Sequence, residues 1–252
     1  MKNKLLTTAM GILILFVLCL SAAAEETHEH TFENHMCVTC ELQEAGLYYN
    51  GEFKLTWQEL LDRGFIRVEN KKGDVILYTD NDELQGDMVI AEGVTKIGNS
   101  GFDKVKLSSV TFPTTLKVVG YQAFGSAQIS KVYMNEGLEE IGESAFSRCP
   151  NITIATFPTS VKKVGSYAYA YCENLVSVVV REGETIEFGD RAFYRCNALK
   201  TADLHSVKVV HGFEDCTALE TVVLYEGVTH IGRAAFSNCG ALKTINLPST
   251  VI

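Results

Sequence analysis

The sequence predicts an α/β solenoid: a right-handed stack of about seven coils of roughly 23 residues, mostly short β-strands with one helical turn per coil, behind a small N-terminal cap. Three observations predict it. The phrase Gly-x-x-Ala-Phe-x-x-Cys-x-x-Leu returns through the C-terminal two-thirds of the chain, with its clearest copies starting at Gly142, Gly189 and Gly232. An apolar pair with period-two alternation follows each copy, the pattern of a half-buried strand. A unit this short buries its apolar face only against its neighbours, so the units must stack.

In chain order, residues 1–24 are expected to be a signal peptide. Lys2 and Lys4 form the positive end, residues 5–20 the apolar run, and Ala22-Ala23-Ala24 the small-residue cleavage site. The run is short for a membrane anchor. Leu18 stands where lipidation of Cys19 would call for a small residue. Residues 25–45 carry His28, His30, His35, Cys37 and Cys40, the last two as Cys-x-x-Cys. Thiolate and imidazole suit zinc, and Cys37, Cys40 and two of the three histidines would complete a tetrahedron around one structural ion. A Cys37–Cys40 disulfide and an unliganded linker are the alternatives. A redox role would need a βαβ setting, which is not legible here. Residues 46–83 are expected to form an α+β cap. Thr56-Trp57-Gln58-Glu59 is a capping box, and a short helix stops at Gly64. Strands are expected at 65–68 and 75–78, with Trp57 in the core.

The solenoid is expected over residues 84–252. Its aromatic column is Phe102, Phe124, Phe146, Tyr169, Phe193, Phe213 and Phe236, at spacings of 22, 22, 23, 24, 20 and 23. Three residues on stand Cys149, Cys172, Cys196, Cys216 and Cys239, with Val105 and Ala127 in the first two copies. Small apolar substitutes mark a core column, where free Cys packs as a small hydrophobe. In-register neighbours fit disulfide geometry poorly, although export would favour disulfides. The turns are of two kinds, with Pro113, Pro158 or Pro248, or with Glu-Gly at 136–137, 182–183 and 226–227. A second apolar pair leads to a corner glycine, as at Gly165. The i, i+3 spacing of Ala-Phe-x-x-Cys suits a helical turn. The last coil stops halfway round at Ile252, which leads to the expectation of a fragment or of an end covered by a partner.

This unit resembles the BspA-like leucine-rich repeat of bacterial surface proteins, which reads Leu-x-x-Ile-x-Ile-Pro-x-x-Val-x-x-Ile-Gly-x-x-Ala-Phe-x-x-Cys. Residues 242–248 match its first half and residues 228–239 its second. The departures are Tyr169 for Phe, Val209 for Gly and a shortened unit around 207–213. The resemblance implies a leucine-rich-repeat solenoid and a secreted or cell-surface protein. It further implies a non-catalytic module for adhesion or protein–protein interaction, with a protein or glycoprotein on a host or bacterial surface as partner. Similar His/Cys-rich starts accompany such repeats, which points to a small structural knuckle. The other readings are a zinc-binding surface protein and a structural spacer of a longer surface protein.

The chain holds 22 basic and 31 acidic residues, a net charge of −9. Loss of Lys2 and Lys4 with the leader would make it −11. That balance, with no basic run, argues against nucleic acid and anionic lipid. No later stretch is apolar enough to span a bilayer, and no Leu-Pro-x-Thr-Gly sorting sequence occurs. No nucleophile elbow, phosphate loop or His-Glu-x-x-His motif occurs either, so no enzyme class is indicated. Binding is expected on the exposed strand face. Large or charged residues concentrate there at Tyr133, Arg181, Asp203, His205 and Tyr225, and aromatic and Arg side chains are common interface anchors. Tyr167 and Tyr171, beside the core Tyr169, make a second candidate patch.

Overall fold

The computed structural model describes residues 44–252 apart from Asp80 and Asp82, and the backbone of two short strands upstream. Those two, β1 (Phe32–Glu33) and β2 (Met36–Cys37), pair antiparallel, with Phe32 opposite Cys37. They fall in a unit of residues 1–44, and residues 45–252 form a second.

The second unit begins with a hairpin of β3 (Gly46–Tyr49) and β4 (Glu52–Thr56), the helix α1 (Trp57–Asp62), and a hairpin of β5 (Arg67–Lys71) and β6 (Asp74–Tyr78). The capping box forms as its residues predict. The Glu59 N–H donates to Thr56 Oγ1 at 3.1 Å, and the Thr56 N–H donates to Glu59 Oε2 at 2.9 Å. Leu60 is fully buried, and Trp57 packs against the core.

Eight coils follow, each opening with a first strand and most continuing to a two-residue second strand. In order they are β7 (Gln85–Val89) and β8 (Lys96–Ile97), β9 (Lys106–Thr111) and β10 (Val118–Val119), and β11 (Lys131–Tyr133) and β12 (Glu140–Ile141). Next come β13 (Ile154–Phe157) and β14 (Lys163–Val164), then β15 (Ser177–Val180) and β16 (Glu187–Phe188). The last are β17 (Thr201–Leu204) and β18 (Val209–Val210), β19 (Thr221–Leu224) and β20 (His230–Ile231), and finally β21 (Thr244–Ile245). First strands stack in parallel as β7-β9-β11 and as β13-β15-β17-β19-β21. Second strands stack as β8-β10-β12-β14-β16, and β18 pairs with β20 alone. The cap extends both faces: β3 lies antiparallel on β7, and β6 runs parallel to β8.

Register follows the apolar pairs. Ala155, Val178, Ala202, Val222 and Ile245 are direct partners across five strands. The break between β16 and β18 falls where the repeat is shortest, and a single Ile186–Val207 bridge spans it. The 20-residue spacing from Phe193 to Phe213 leaves too little chain to continue the ladder.

The aromatic column forms a continuous stack. Successive centroids from Phe102 through Phe124, Phe146, Tyr169, Phe193 and Phe213 to Phe236 lie 5.0–5.8 Å apart with near-parallel rings, within the favourable range for aromatic pairs. Beside it, each ladder cysteine donates its thiol to the carbonyl of the aromatic residue one coil earlier. Cys149 reaches Phe124 at 3.0 Å, Cys172 reaches Phe146 at 3.2 Å, and Cys216 reaches Phe193 at 3.1 Å. All five are free and buried. Burial pushes the Cys172 thiol up to about 12, so it stays neutral.

The Ala-Phe-x-x-Cys segment does turn through i→i+3 hydrogen bonds, but not as a continuous helix. In one coil the bonds are Ala123 N–H to Gly120, Gly125 N–H to Gln122 and Ala127 N–H to Phe124. The intervening N–H groups of Gln122, Phe124 and Ser126 donate to Glu143, Ala145 and Ser147 of the next coil. A helix would spend every amide within one coil. Here alternate amides tie coil to coil, and each N–H from Gln122 to Ala127 has an acceptor. The residues two before and two after the aromatic take left-handed φ, as at Ser144 (55°) and Arg148 (60°), and the i, i+3 apolar spacing gives no hint of this.

The two kinds of turn alternate from coil to coil. Glu136 accepts hydrogen bonds from the N–H and hydroxyl of Thr159 and from the N–H of Ser160 in the next coil, while the Ser160 hydroxyl donates to the Leu138 carbonyl. Glu92 holds Thr114 and Thr115 likewise, and Glu226 holds Ser249. The glycine after each Glu has positive φ (93° at Gly93, 109° at Gly137, 106° at Gly227), a conformation that glycine adopts at least cost.

Candidate functional site

The strand face is built by β15, β17 and β19, whose side chains alternate between buried and partly exposed. Register sets Val179, Asp203 and Val223 side by side on the outer surface. One residue past each strand stand Arg181, His205 and Tyr225. The His205 N–H donates to the Val180 carbonyl at 3.1 Å, carrying the ladder one step further.

Asp203, His205 and Tyr225 form a contact cluster. The His205 and Tyr225 rings stack with centroids 3.3 Å apart and planes at 22°. His205 Nε2 lies 3.9 Å from Asp203 Oδ1. That oxygen is shielded from solvent and takes no hydrogen bond. Desolvation, and then the nearby Asp203 carboxylate, push the Tyr225 phenol above its ordinary range, so its hydroxyl stays protonated and able to donate. Arg181 is exposed, in the coil next to His205. These four make a strip across three coils with a cation, an acceptor and an aromatic pair.

Tyr133 stands apart. It is 51% exposed on β11, whose partner is β9, and the β13–β21 sheet begins in the next coil. The zinc candidates His28, His30, His35 and Cys40 lie outside the described residues, as does the Cys37 side chain. Among the described residues, no group of three His, Cys, Asp or Glu is placed to hold a metal ion. No helix among them is long and apolar enough to cross a membrane.

The turn face holds the second patch. Tyr167 and Tyr171 are both half-buried, and both pack edge-on against Tyr194, at 6.3 and 5.4 Å between centroids. Sequence reasoning named those two tyrosines but missed Tyr194 and the arginines around them. A pattern was available, because Arg148, Arg191 and Arg195 occupy the same columns as the tyrosines, two before and two after the buried aromatic.

Residues 81–200 and 188–252 match the model of the BspA type leucine-rich repeat region, in six copies. No curated protein matches the chain. The crystal structure of a leucine-rich repeat protein of T. pallidum is similar, with a TM-score of 0.60 and 22% identity over 71% of this chain and 88% of that one. A leucine-rich repeat protein of Bacteroides ovatus is similar with a TM-score of 0.61 and 23% identity, over 74% of this chain and 52% of that one. The chain thus spans about half of the second protein. These likenesses bear on the fold.

Proposed function

The chain belongs to the BspA-type leucine-rich repeat family, a family of protein-interaction repeat modules, and from that premise we propose that it is an exported, non-catalytic binding module, secreted or held at the cell surface. Its partner is a protein or glycoprotein on a host or bacterial surface. The observation that carries this reading is the Asp203–His205–Tyr225 cluster with Arg181 beside it on the strand face. A rigid parallel sheet holds these side chains in fixed register, so little entropy is lost when a partner docks. Arg and Tyr are the usual energetic anchors of such contacts.

The test is a binding screen of the chain from residue 25 onward against immobilised host matrix glycoproteins and intact bacteria. The variants Arg181→Ala and Tyr225→Ala are run beside it, with circular dichroism melting as the folding control. The reading expects capture by the intact chain and at least tenfold weaker binding by each variant. Equal binding by the variants would reject the strand-face site, and no capture at all would reject adhesion.

A second reading adds a structural zinc ion at the His/Cys segment. It rests on the Cys37-x-x-Cys40 spacing and on the β1–β2 hairpin that carries Cys37. Elemental analysis of the purified protein beside Cys37→Ser/Cys40→Ser checks it. One zinc per chain, lost in the variant, is the expected outcome.

A further inference from the structure

The turn face carries a cluster of arginines. Three of the seven arginines, Arg148, Arg191 and Arg195, fall in three consecutive coils of a chain with net charge −9. All three take left-handed φ, between 55° and 60°, and all three are exposed. They interlock with three tyrosines. The Arg148 guanidinium lies 4.5 Å from the Tyr171 ring centre, Arg191 lies 5.5 Å from that of Tyr194, and Arg195 lies 5.1 Å from the same ring. Arg191 Nη1 also donates to the Tyr167 hydroxyl at 2.7 Å. Cation–π contact and this hydrogen bond hold the guanidinium groups in place before any ligand arrives.

Asp215 and Glu214 border the platform on the Arg195 side. Asp215 accepts from Arg195 Nε at 3.1 Å and from Asn238 Nδ2 at 2.6 Å, and Glu214 bears electrostatically on Arg191. Among the described residues, no carboxylate forms an ion pair with Arg148 or Arg191. On the side away from Asp215, a groove of ≈ 240 Å³ is lined by Arg148, Tyr167 and Tyr171 together with Tyr121, Gln122, Ser126 and Ser144. The groove thus presents hydroxyls, phenol rings, one amide and one guanidinium, and it offers no aliphatic pocket for a side chain.

From this arrangement we infer that the turn face binds an acidic oligosaccharide, with one sugar ring in the groove and its carboxylate or sulfate groups on Arg148 and Arg191. The guanidinium fork matches the paired oxygens of either anion. Tyrosine rings present flat apolar faces to the C–H side of a sugar, and the Ser126 and Ser144 hydroxyls meet its OH groups. An extended acidic peptide fits less well. It would need free backbone donors and acceptors to add as a strand, and the amides of this face are committed either to their own turn or to the next coil. This surface is separate from the strand face, so the two readings stand or fall independently.

The experiment is calorimetric titration of the protein with a sulfated heparin-type hexasaccharide, a hyaluronan hexasaccharide, the neutral, fully N-acetylated chitohexaose and poly-glutamate. Arg148→Lys, Arg191→Gln and Tyr171→Ala are titrated beside it, each checked for an unchanged melting profile. Binding of at least one acidic hexasaccharide is expected, with chitohexaose and poly-glutamate at least tenfold weaker. Arg148→Lys keeps the charge but loses the fork, and should weaken binding about fivefold or more. Arg191→Gln should weaken it at least tenfold, whereas Tyr225→Ala on the strand face should leave it unchanged. The sulfated and hyaluronan arms tell sulfate from carboxylate recognition. The inference is overturned if neither acidic hexasaccharide binds, if poly-glutamate binds as well as they do, or if folded Arg148→Lys and Arg191→Gln bind like the parent.

Discussion

At five of the seven ladder positions a small, apolar side chain also donates a hydrogen bond, and Val105 and Ala127 fill the first two by packing alone. The carbonyl of each core aromatic points at the coil that follows, and only cysteine offers a donor without the desolvation cost of a hydroxyl. Cys172→Ala therefore forfeits the bond to Phe146 together with sulfur packing, and a loss of about 2 kcal/mol is expected in urea unfolding. The same burial makes the thiols inert. At pH 8 the native protein should leave Cys149, Cys172 and Cys196 unmodified by iodoacetamide, and urea should expose all three. Rapid native labelling of Cys172 would contradict the neutral, enclosed thiol. Replacing Phe146 by Ala removes a ring stacked on both sides and should cost about 3–5 kcal/mol. The sequence made these residues legible as core, because Val and Ala substitute in the Cys column. It could not show the thiol's acceptor, because that carbonyl belongs to another coil.

Turns are where one coil recognises the next. Burial alone pushes the Glu136 carboxyl up, but the hydrogen bonds from Thr159 and from the Ser160 amide outweigh it and leave the group below its ordinary 4.5. A carboxylate depressed in the folded state contributes stability that is present above the unfolded value and fades as pH falls through the lower folded value. Glu136→Gln should then cost about 1 kcal/mol at pH 7, allowing for solvent screening. The gap between the two proteins should close as pH drops from 6 to 3. Thermal melts across that range check it, and a gap that stays constant would remove the carboxylate from the account. Gly137→Ala adds a Cβ 2.8 Å from the Thr114 carbonyl at a φ of 109°, so a larger loss is expected. The sequence displayed both kinds of turn and the strands between them. It hid the linked turns of the aromatic segment, because i, i+3 spacing serves a helix equally well. For the same reason it hid Arg148, Arg191 and Arg195 as a group.

In a stack whose coils touch only their neighbours, stability is close to a sum over interfaces, and the weakest interface decides where opening begins. Two joints lack a full ladder: β11 and β13 do not pair, and between β16 and β18 one bridge stands in for a ladder; the second adjoins the shortened unit, and we place the first opening there. Hydrogen exchange should run faster in β18 and β20 than in β12 and β14, and mild urea should release residues 207–252 before the rest. Uniform protection across the coils would show that the first-strand sheet alone carries the load. The shortened unit was visible in the spacing of the aromatics. The separation of β11 from β13, which isolates Tyr133 from the strand-face cluster, falls where the step from aromatic to strand lengthens by one residue, from Phe124–Val132 to Phe146–Ala155. Glu-bearing and hydroxyl-bearing corners take turns along the whole stack, at Glu92, Thr115, Glu136, Ser160, Glu182, Ser206, Glu226 and Thr250. The rod therefore has a parity. Splicing out or duplicating one layer would set two acids, or two alcohols, against each other, whereas adding or removing layers two at a time would preserve every such handshake, so descendants of this chain should differ in length by even numbers of layers.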